Sequence, residues 1–494
     1  MPSRPTTRWQ VSGYRFLVRR MEHALVRRDV RMLHDPMRSQ SRAYVAGLVL
    51  ALVALAGAGV LALLRPQGQI GDHKIVMGKD SGQIYAVVDG TVHPALNLAS
   101  ARLAVGDPAK PESVKESELA KKHLGALIGI PGAPSSLHFD TGGKGRAWTV
   151  CDQIKNDGSA AVTSTVIAGT PTLGDVASVA GHGQALLVAG KNATFLIYDN
   201  KRARVDTTDP AVVNALHIRD TPARPVSEGL LNAIPETLPI ISPKINDPGG
   251  MPVHPVDSHR IGDVVHLSTD DTYYVVLHDG LQHISALTAD IIRNASPTAS
   301  QGNTEISAYT HSHTPTSTEL PVADYPDSAP TIVTATDAPV ACLQWKPLPT
   351  GTTNTGGGKQ AELALITGRG LPLPDGTRPT QLAQSGQPGL VAQFYTTPGS
   401  GMFVQTTGIE PDSQRKDSQF YIADTGVRYG IKDADAAKAL GMDAEKAKPE
   451  PAPWQIAGLL PGGPTLGRED AMVAHDGIAP DANPAPALVK PSQN

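Results

Sequence analysis

Catalytic signatures are scarce in this sequence. None of its four Gly-Lys pairs, at Gly78, Gly143, Gly190 and Gly358, is followed by Ser or Thr or preceded by the glycine that a phosphate-binding loop requires. The chain also contains no G-x-S-x-G nucleophile turn, no G-x-G-x-x-G fingerprint and no H-E-x-x-H zinc motif. These absences exclude a Walker A nucleotide site and leave no residue to assign as catalytic.

Candidate metal ligands are few and poorly grouped. They are His254, His259 and His266, the pair His311 and His313, and the acidic residues Asp270, Asp271, Asp433 and Asp435. The histidines lie in Pro-, Ser- and Thr-rich or loop-like sequence without cysteines, and the acidic pairs lack the remaining ligands of a calcium loop. We therefore expect solvated histidines and acidic helix or strand caps, with no metal and no cofactor.

Aromatic residues are also rare, at 4% of 494 residues, whereas the chain has 48 glycines and 42 prolines. This composition is rich in loops but remains below the level typical of a disordered chain. A chain of this length exceeds one compact core, and short Val, Ile and Leu runs predict an α+β fold with several small domains.

One long hydrophobic run interrupts this pattern. Residues 43–64 contain no charge, proline or amide side chain, and Arg42 and Arg65-Pro66 flank them. A helix of that length spans about 33 Å, which is enough to cross a hydrocarbon core of about 30 Å. A buried helix of a soluble domain is the first alternative, and a cleaved signal peptide is the second. The run and its 42-residue leader are longer than a signal peptide requires, so we predict an uncleaved transmembrane helix.

Lysine is absent from the first 42 residues, which hold ten arginines and three acidic residues. Their net charge is +7, whereas the residues after the apolar run carry −11. Because excess basic charge stays in the cytoplasm, the N-terminus is predicted to lie inside and the bulk of the chain outside.

Only two cysteines occur, Cys151 and Cys342, and both fall on the oxidising side. They are expected to form a disulfide, with two separate thiols as the alternative.

The cytoplasmic segment contains a predicted amphipathic helix after Gly13. Tyr14, Leu17, Val18, Met21 and Leu25 recur on one face, and arginines occupy the remaining faces. Three partners are conceivable: another protein, anionic lipid and nucleic acid. Docking on a partner protein is favoured, lipid contact is secondary, and nucleic acid is disfavoured because the segment is tethered to the bilayer. The residues expected to take part in docking are Arg15, Arg19 and Arg20.

Four later passages share one pattern: an apolar strand, a turn suited to positive φ, a second strand and a helix. They are residues 80–103, 192–216, 270–295 and 418–441, with turns at Asp89-Gly90, Asp199-Asn200, Asp279-Gly280 and Thr425-Gly426. Each is predicted to be a ββα repeat of about 25 to 30 residues. Their uneven spacing argues against a solenoid or propeller of fixed period.

Short apolar runs between the repeats, from Trp148 to Tyr395, predict a central, mainly β core. A disulfide between the two cysteines would cross-link the two halves of this core. The predicted division is a cytoplasmic segment (1–42), a transmembrane helix (43–64), repeat 1 (65–125), a core domain (126–190 and 310–410), repeat 2 (191–235), repeat 3 (260–305), repeat 4 (411–445) and an extended Pro/Ala-rich tail (446–494).

Several motifs, in this order, resemble the EccB family, a membrane component of actinobacterial type VII (ESX) secretion systems. They are QVSGYRF at 10–16, PQGQ at 66–69, ALNLASARL at 95–103, GIPGAP at 129–134, the two cysteines, APW at 452–454 and LPxGPxL at 460–466. The resemblance covers essentially the whole chain.

The resemblance implies a structural subunit of the secretion complex in the inner membrane. Its partners would be an EccC-type ATPase contacted by the cytoplasmic N-terminus, the EccD and EccE components, and further copies of itself, as a dimer within a hexamer. It also implies four periplasmic repeats around a disulfide-containing core. The repeats are similar to wall-binding domains of a phage lysin, which suggests peptidoglycan contact. Some family members carry the label ATPase, which no motif here supports. The alternatives are an ATP-hydrolysing component and a peptidoglycan-binding anchor.

Overall fold

The computed structural model describes residues 7–28, 30, 36–64, 69–139, 145–155, 159–267, 269–296, 304–349, 358–385, 387–443 and 447–479. The chain divides into two compact units, Met1–Gly71 and Asp72–Asn494, and we call the second unit the body. The helices of the described residues are α1 (Arg8–Arg27), α2 (Pro36–Leu64), α3 (Leu98–Val105), α4 (Glu116–Leu119), α5 (Pro210–Ala215), α6 (Glu228–Ala233), α7 (Ala286–Ala295), α8 (Ala308–His313), α9 (Ala434–Leu440), α10 (Trp454–Ala457) and α11 (Arg468–Ala471).

The strands of the described residues all lie in the body. They are β1 (Ile75–Gly78), β2 (Ile84–Val88), β3 (Thr91–Pro94), β4 (Glu112–Val114), β5 (Leu127–Ile128), β6 (Trp148–Ile154), β7 (Val162–Ala168), β8 (Ala177–Val179), β9 (Gln184–Ala189), β10 (Thr194–Tyr198), β11 (Lys201–Val205), β12 (Arg224–Pro225), β13 (Val264–Leu267), β14 (Thr272–Val276), β15 (Leu281–Ile284), β16 (Thr304–Glu305), β17 (Thr331–Ile332), β18 (Val340–Pro347), β19 (Ala361–Gly368), β20 (Thr380–Gln381), β21 (Gln393–Tyr395), β22 (Met402–Thr407), β23 (Gln419–Ile422), β24 (Arg428–Gly430), β25 (Glu450–Pro453) and β26 (Ala474–His475).

The N-terminal compact unit, Met1–Gly71, contains the two long helices α1 and α2. Thr7 and Gln10 form a capping box at the start of α1, and Arg28 ends it with a left-handed φ of 56°. Of the described residues, only α2 is long and apolar enough to cross a membrane, over Gln40–Val60 with a mean hydropathy of 2.2. The predicted span, residues 43–64, lies entirely within α2.

Four sheets of the body share one strand arrangement in its described part. Three antiparallel strands form a meander, a helix follows, and a fourth strand returns parallel to the first. The strand orders are β3-β2-β1-β4, β11-β10-β9-β12, β15-β14-β13-β16 and β24-β23-β22-β25. A short helix then leads to a segment that bridges the third strand in parallel. We call these arrangements units 1 to 4, and they span residues 75–128, 184–240, 264–316 and 402–466.

The sequence specifies the hairpins and helix starts of these units locally. Asp89-Gly90 and Asp199-Asn200 have positive φ at both positions, as the two-residue turn of a twisted hairpin requires. A short polar side chain caps the helix after each third strand by accepting a backbone N–H. These caps are Asn97 for α3, Asp209 for α5, Ser285 for α7 and Asp433 for α9.

The body also contains a seven-stranded sheet, in the order β20-β21-β7-β6-β18-β19-β8, which we call the core sheet. Its strands come from both segments that the sequence assigns to a core. One of its faces, which carries Trp148 and Trp345, packs against units 2 and 4. The opposite face carries Cys151 and Cys342.

Helix-to-helix packing joins the units in pairs. Helix α5 of unit 2 packs on α7 of unit 3, and Val212 and Leu287 lie in their common core. Helix α3 of unit 1 packs on α9 of unit 4, where Leu103 and Leu440 are buried. The packing order within the body is therefore unit 1, unit 4, unit 2 and unit 3, with units 4 and 2 in contact and both against one face of the core sheet. Units 1 and 3 lie at its two ends.

Several structural boundaries differ from the predicted ones. Strand β9 lies in the segment 126–190 and β22 in the segment 310–410, yet each is the first strand of a unit rather than part of the core sheet. Strand β17, expected in the core, pairs with β9. An apolar run predicts a strand but does not reveal which neighbour it pairs with, because pairing is decided by distant residues.

The prediction of an extended tail from residue 446 is wrong for its first part. Strand β25 pairs with β22, and Ile456 and Leu460 are completely buried. Pro451 and Pro453 fit because β25 is an edge strand, where a missing N–H costs no ladder hydrogen bond on the open side. Strand β26 also pairs with β5 of unit 1. Residues 480–494 of the predicted tail lie outside the described residues.

Candidate functional sites

Most of the predicted apolar face of helix α1 is exposed, and only Val18 of its five described residues is half-buried. Tyr14 and Leu25 are 71% and 81% exposed, and Met21 is exposed as well. The three arginines predicted to take part in docking, Arg15, Arg19 and Arg20, are also exposed. An uncovered apolar stripe beside basic side chains is typical of a surface that binds another protein or a membrane.

Helix α2 is apolar all round rather than on one face. No part of its window Gln40–Val60 is buried. A helix with no polar face and no protein covering satisfies all its backbone hydrogen bonds internally, and this suits it to a lipid environment.

The two cysteines form a disulfide that joins the central strands of the core sheet. Cys151 on β6 lies directly opposite Cys342 on β18, with Cα atoms 4.0 Å apart. Both are completely buried, next to Ile167 and Ile366. The bond links the two core segments across a sequence separation of 191 residues, so the predicted disulfide is confirmed.

A buried polar junction joins the core sheet to unit 2. Asp152 of β6 accepts hydrogen bonds from the backbone N–H and hydroxyl of Ser227, at 2.6 and 2.9 Å, and from the hydroxyl of Ser164 at 2.8 Å. Arg224 of β12 donates to the carbonyls of Ala338 and Pro339 at 2.9 and 3.0 Å. This junction fixes the start of α6 and the chain just before β18.

The charges of this junction are strongly desolvated. Burial raises the pKa of Asp152, and the hydrogen bonds from Ser227 and Ser164 and the charge of Arg224 oppose that rise. Burial lowers the pKa of Arg224 to about 10, so its guanidinium stays protonated at neutral pH. This junction was not predicted from the sequence. Its signal in the sequence is an acidic residue directly after Cys151, in a strand that carries no other charge.

The prediction of solvated histidines is wrong for His259, which is buried beside Asp263, whereas His254 and His313 are exposed. No group of three or more His, Cys, Asp or Glu side chains in the described ranges is arranged to hold a metal ion. His266 pairs with Asp271 at 2.8 Å, and the ring of His311 lies 4.8 Å from that of Tyr274. Asp433 caps α9, as expected of an acidic cap.

Two open cavities lie on unit 2. The larger, of about 760 Å³, is polar and carries Lys191, Arg204 and Asp206 on its walls. The smaller, of about 270 Å³, contains His182, Asp199 and Ser328. His182 pairs with Asp199 at 3.0 Å, but its side chain is 85% exposed. No hydrogen bond joins Ser328 to His182 in this described region, so the three residues do not form a nucleophilic triad.

The chain is similar to known proteins along nearly its whole length. Residues 3–480 match the family described as "Type VII secretion system ESX-1, transport TM domain B". The chain is 38% identical to "ESX-3 secretion system ATPase EccB3" of Mycobacterium tuberculosis, over 97% of this chain and 91% of that protein. It is 35% identical to "ESX-1 secretion system ATPase EccB1" of the same species, over 98% of both.

Two solved structures are similar as well. A chain in "Structure of an intact ESX-5 inner membrane complex" superposes with a TM-score of 0.75 at 32% identity, covering 99% of both chains. A chain in "Structure of EccB3 dimer from the ESX-3 core complex" gives a TM-score of 0.70 at 33% identity, covering 81% of this chain and all of that one.

Proposed function

Because this chain belongs to the EccB family of type VII secretion membrane components, we propose that it is a structural subunit of a secretion complex in the inner membrane. One observation carries the proposal: none of the described residues buries the apolar window Gln40–Val60 of α2, and α2 precedes a large folded body. Such a chain anchors the body to a membrane. The charge difference across α2 favours a cytoplasmic α1 and a periplasmic body.

The partners we propose are an EccC-type ATPase, EccD and EccE components, and further copies of this chain. Solved relatives come from an ESX inner membrane complex and from an EccB3 dimer, which supports this set. We assign the contact with the ATPase to α1, through its exposed apolar face and Arg15, Arg19 and Arg20. Two of these arginines, Arg15 and Arg19, are one helical turn apart and present adjacent charges.

The subunit we propose is not an enzyme, although relatives carry ATPase in their names. The sequence lacks a Walker A loop, and the cavity that holds His182 and Asp199 is open to solvent. Purified full-length chain in detergent is expected to release phosphate from ATP no faster than the same chain after heat unfolding. A steady rate that scales with the concentration of folded chain would refute the noncatalytic assignment.

We further propose that units 1 to 4 are four copies of one module that contains the predicted ββα repeat. Their common strand order and their helices after the third strand support this relationship. The predicted repeats at 65–125, 191–235, 260–305 and 411–445 then correspond to parts of these modules, around a core assembled from 126–190 and 310–410. The modules differ in the lengths of their connections and helices, and the sheet of unit 2 carries the additional strand β17.

Co-purification from the native host tests this function. A tagged full-length chain, extracted in mild detergent, is expected to carry the EccC-type ATPase, EccD and EccE on a native gel. A triple variant that replaces Arg15, Arg19 and Arg20 by Glu should no longer carry the ATPase, because three charges of α1 are reversed. The matched control, Lys121, Lys122 and Lys155 replaced by Glu in the body, should not. A wild-type chain that migrates alone would contradict the proposal.

A further inference from the structure

The short helix after each fourth strand has different surroundings in different units. In unit 2 this helix is α6, and its Leu230 and Leu231 are buried in the same cluster as Trp148 of the core sheet. In unit 4 it is α10, whose Ile456 lies in that cluster too. The two helices also contact each other.

The contact between α6 and α10 is close. A Cβ atom added at Gly229 of α6 would lie 3.1 Å from Leu459, two residues after α10. The corresponding faces of two units therefore pack on one another beside the core sheet. This is a homotypic contact within one chain.

Unit 3 leaves the corresponding helix uncovered. That helix is α8, and none of its residues is buried. Tyr309 is 71% exposed, and its ring stacks on that of His313 with centroids 4.0 Å apart. His311 packs on Tyr274 of β14 instead of reaching another unit. The stack on His313 thus holds the Tyr309 side chain in place, and no other unit covers it among the residues that the structure describes.

A loop beside α8 extends this exposed area. Asp257 of the loop accepts a hydrogen bond from the hydroxyl of Thr310 at 3.0 Å. On the same loop Met251 and Val253 are 63% and 60% exposed. Beneath them, Val256 and Ile306 belong to a small separate core cluster. We call Met251, Val253, Tyr309, His311 and His313 the α8 surface.

We propose that the α8 surface binds the α8 surface of a second copy of this chain. The same face of units 2 and 4 already packs homotypically inside the chain. None of the five residues of the α8 surface is Lys, Arg, Asp or Glu, and the neighbouring carboxylate of Asp257 is hydrogen-bonded to Thr310. Two copies can therefore meet about a twofold axis without like charges at the centre of the contact. Unit 3 lies at one end of the packing order, where this face is free. The inference rests on the proposed function only in that the subunit assembles in several copies.

A second copy fits this surface better than wall glycan does. Exposed Met and Val side chains, next to a Tyr-His stack, match an apolar protein contact in which aromatic residues dominate the binding energy. In an isologous contact the residue nearest the axis meets its own counterpart. Tyr309 is more exposed than Met251 and Val253, and we place it nearest the axis.

Cysteine cross-linking in native membranes tests the contact with the full-length chain. The native cysteines are bonded to each other and buried, so a Tyr309→Cys variant carries the single reactive thiol of the chain. Mild oxidation is expected to give a linked dimer whose mass spectrum contains a bond between two copies of residue 309. Val179→Cys, a half-exposed position on the edge of the core sheet, is the control and should stay monomeric. Equal linking of both variants, or none at position 309, would overturn the proposal.

A charge variant supplies a second measurement, which does not depend on forming a disulfide between two copies. Tyr309→Arg places like charges at the axis and should weaken self-association of the purified full-length chain by more than about tenfold in sedimentation velocity. Val179→Arg should leave it unchanged. Because Tyr309 is exposed, the thermal unfolding midpoint should not move. If Tyr309→Arg self-associates as strongly as the wild type, the contact is refuted. This holds also if the variant sediments less with purified peptidoglycan, because the α8 surface would then bind the wall instead. Co-purification with the ATPase through α1 is read out separately and does not depend on the α8 surface.

Discussion

Asp152 receives two hydrogen bonds from Ser227, one from its backbone N–H at 2.6 Å and one from its hydroxyl at 2.9 Å. Ser227 is the N-cap of α6, and its hydroxyl also accepts the N–H of Leu230. One side chain of the core sheet therefore holds the cap of a helix in unit 2. This buried carboxylate therefore contributes to the attachment of unit 2 to the core sheet, beside their shared apolar cluster.

Replacing Asp152 by Asn should destabilise the body. The amide group presents N–H donors where Ser227 and Ser164 also donate, and the buried Arg224 loses its counter-charge. Loss of hydrogen bonds to a buried charged acceptor costs about 1–3 kcal/mol. Urea unfolding of the purified chain measures the loss. Asp220→Asn, at an exposed position, serves as the control and should change the midpoint little. Equal stability of the two variants would show that the junction is not important.

Asn200 should be required at the turn of the hairpin β10–β11. It has a φ of 60°, and its side-chain oxygen accepts the N–H of Leu365 on β19 at 2.7 Å. Asn200→Ala loses this hydrogen bond and places an unsuitable residue in the left-handed region, at a cost of about 1–2 kcal/mol in the free energy of unfolding. Asn200→Asp keeps both the acceptor and the tolerance for positive φ. It should lie much closer to the wild type than Asn200→Ala, and the reverse order would contradict this explanation.

Removal of the disulfide should lower stability without abolishing the fold. The double variant Cys151→Ala, Cys342→Ala keeps the pairing of β6 with β18 but loses a cross-link over 191 residues. We expect a decrease of about 2–4 kcal/mol in the free energy of unfolding. Reductant should lower the wild-type urea midpoint and leave that of the double variant unchanged. If reductant shifts both alike, its effect comes from elsewhere.

Glu116 should make the body sensitive to acid. Its carboxylate accepts the backbone N–H groups of Asp80 and Ser81, at 2.9 and 3.0 Å. These bonds, led by that from Ser81, lower its pKa from 4.5 to about 2. Because the folded pKa lies below the unfolded one, the stabilisation is present above pH 4.5 and is lost as the pH falls toward 2.

The Glu116→Gln variant tests this pH dependence. It should be less stable than the wild type at pH 7, and the difference should shrink as the pH is lowered through this window. Urea midpoints at pH 7 and pH 3 give the comparison, and the exposed Glu112→Gln is the control. A difference that is the same at both pH values would contradict the assignment.

Local features of this fold were predictable because each depends on neighbouring residues. Asp89-Gly90 and Asp199-Asn200 predict hairpins through their tolerance for positive φ, and the uncharged run of α2 predicts its own helix. The disulfide between the two cysteines was predictable because both follow the transmembrane helix and so lie in an oxidising compartment. None of these inferences needs knowledge of distant contacts.

Features that depend on distant contacts were not predictable. Asp152 and Arg224 meet only because β12 is brought beside the core sheet by pairing with β9. Pro451 and Pro453 suggest an extended tail, whereas β25 tolerates them as an edge strand once β22 lies beside it. The α8 surface is informative only by comparison with α6 and α10, whose burial the sequence does not reveal.

The central claim is that a single apolar helix separates a cytoplasmic α1 from a periplasmic body. Its most direct test is the labelling of single cysteines in intact spheroplasts with a membrane-impermeant maleimide. Ser12→Cys on α1 and Asp175→Cys on the body are both exposed positions. The account predicts that Asp175→Cys is labelled before lysis and Ser12→Cys only after it. Labelling of both positions before lysis, or of Ser12→Cys alone, would contradict the account.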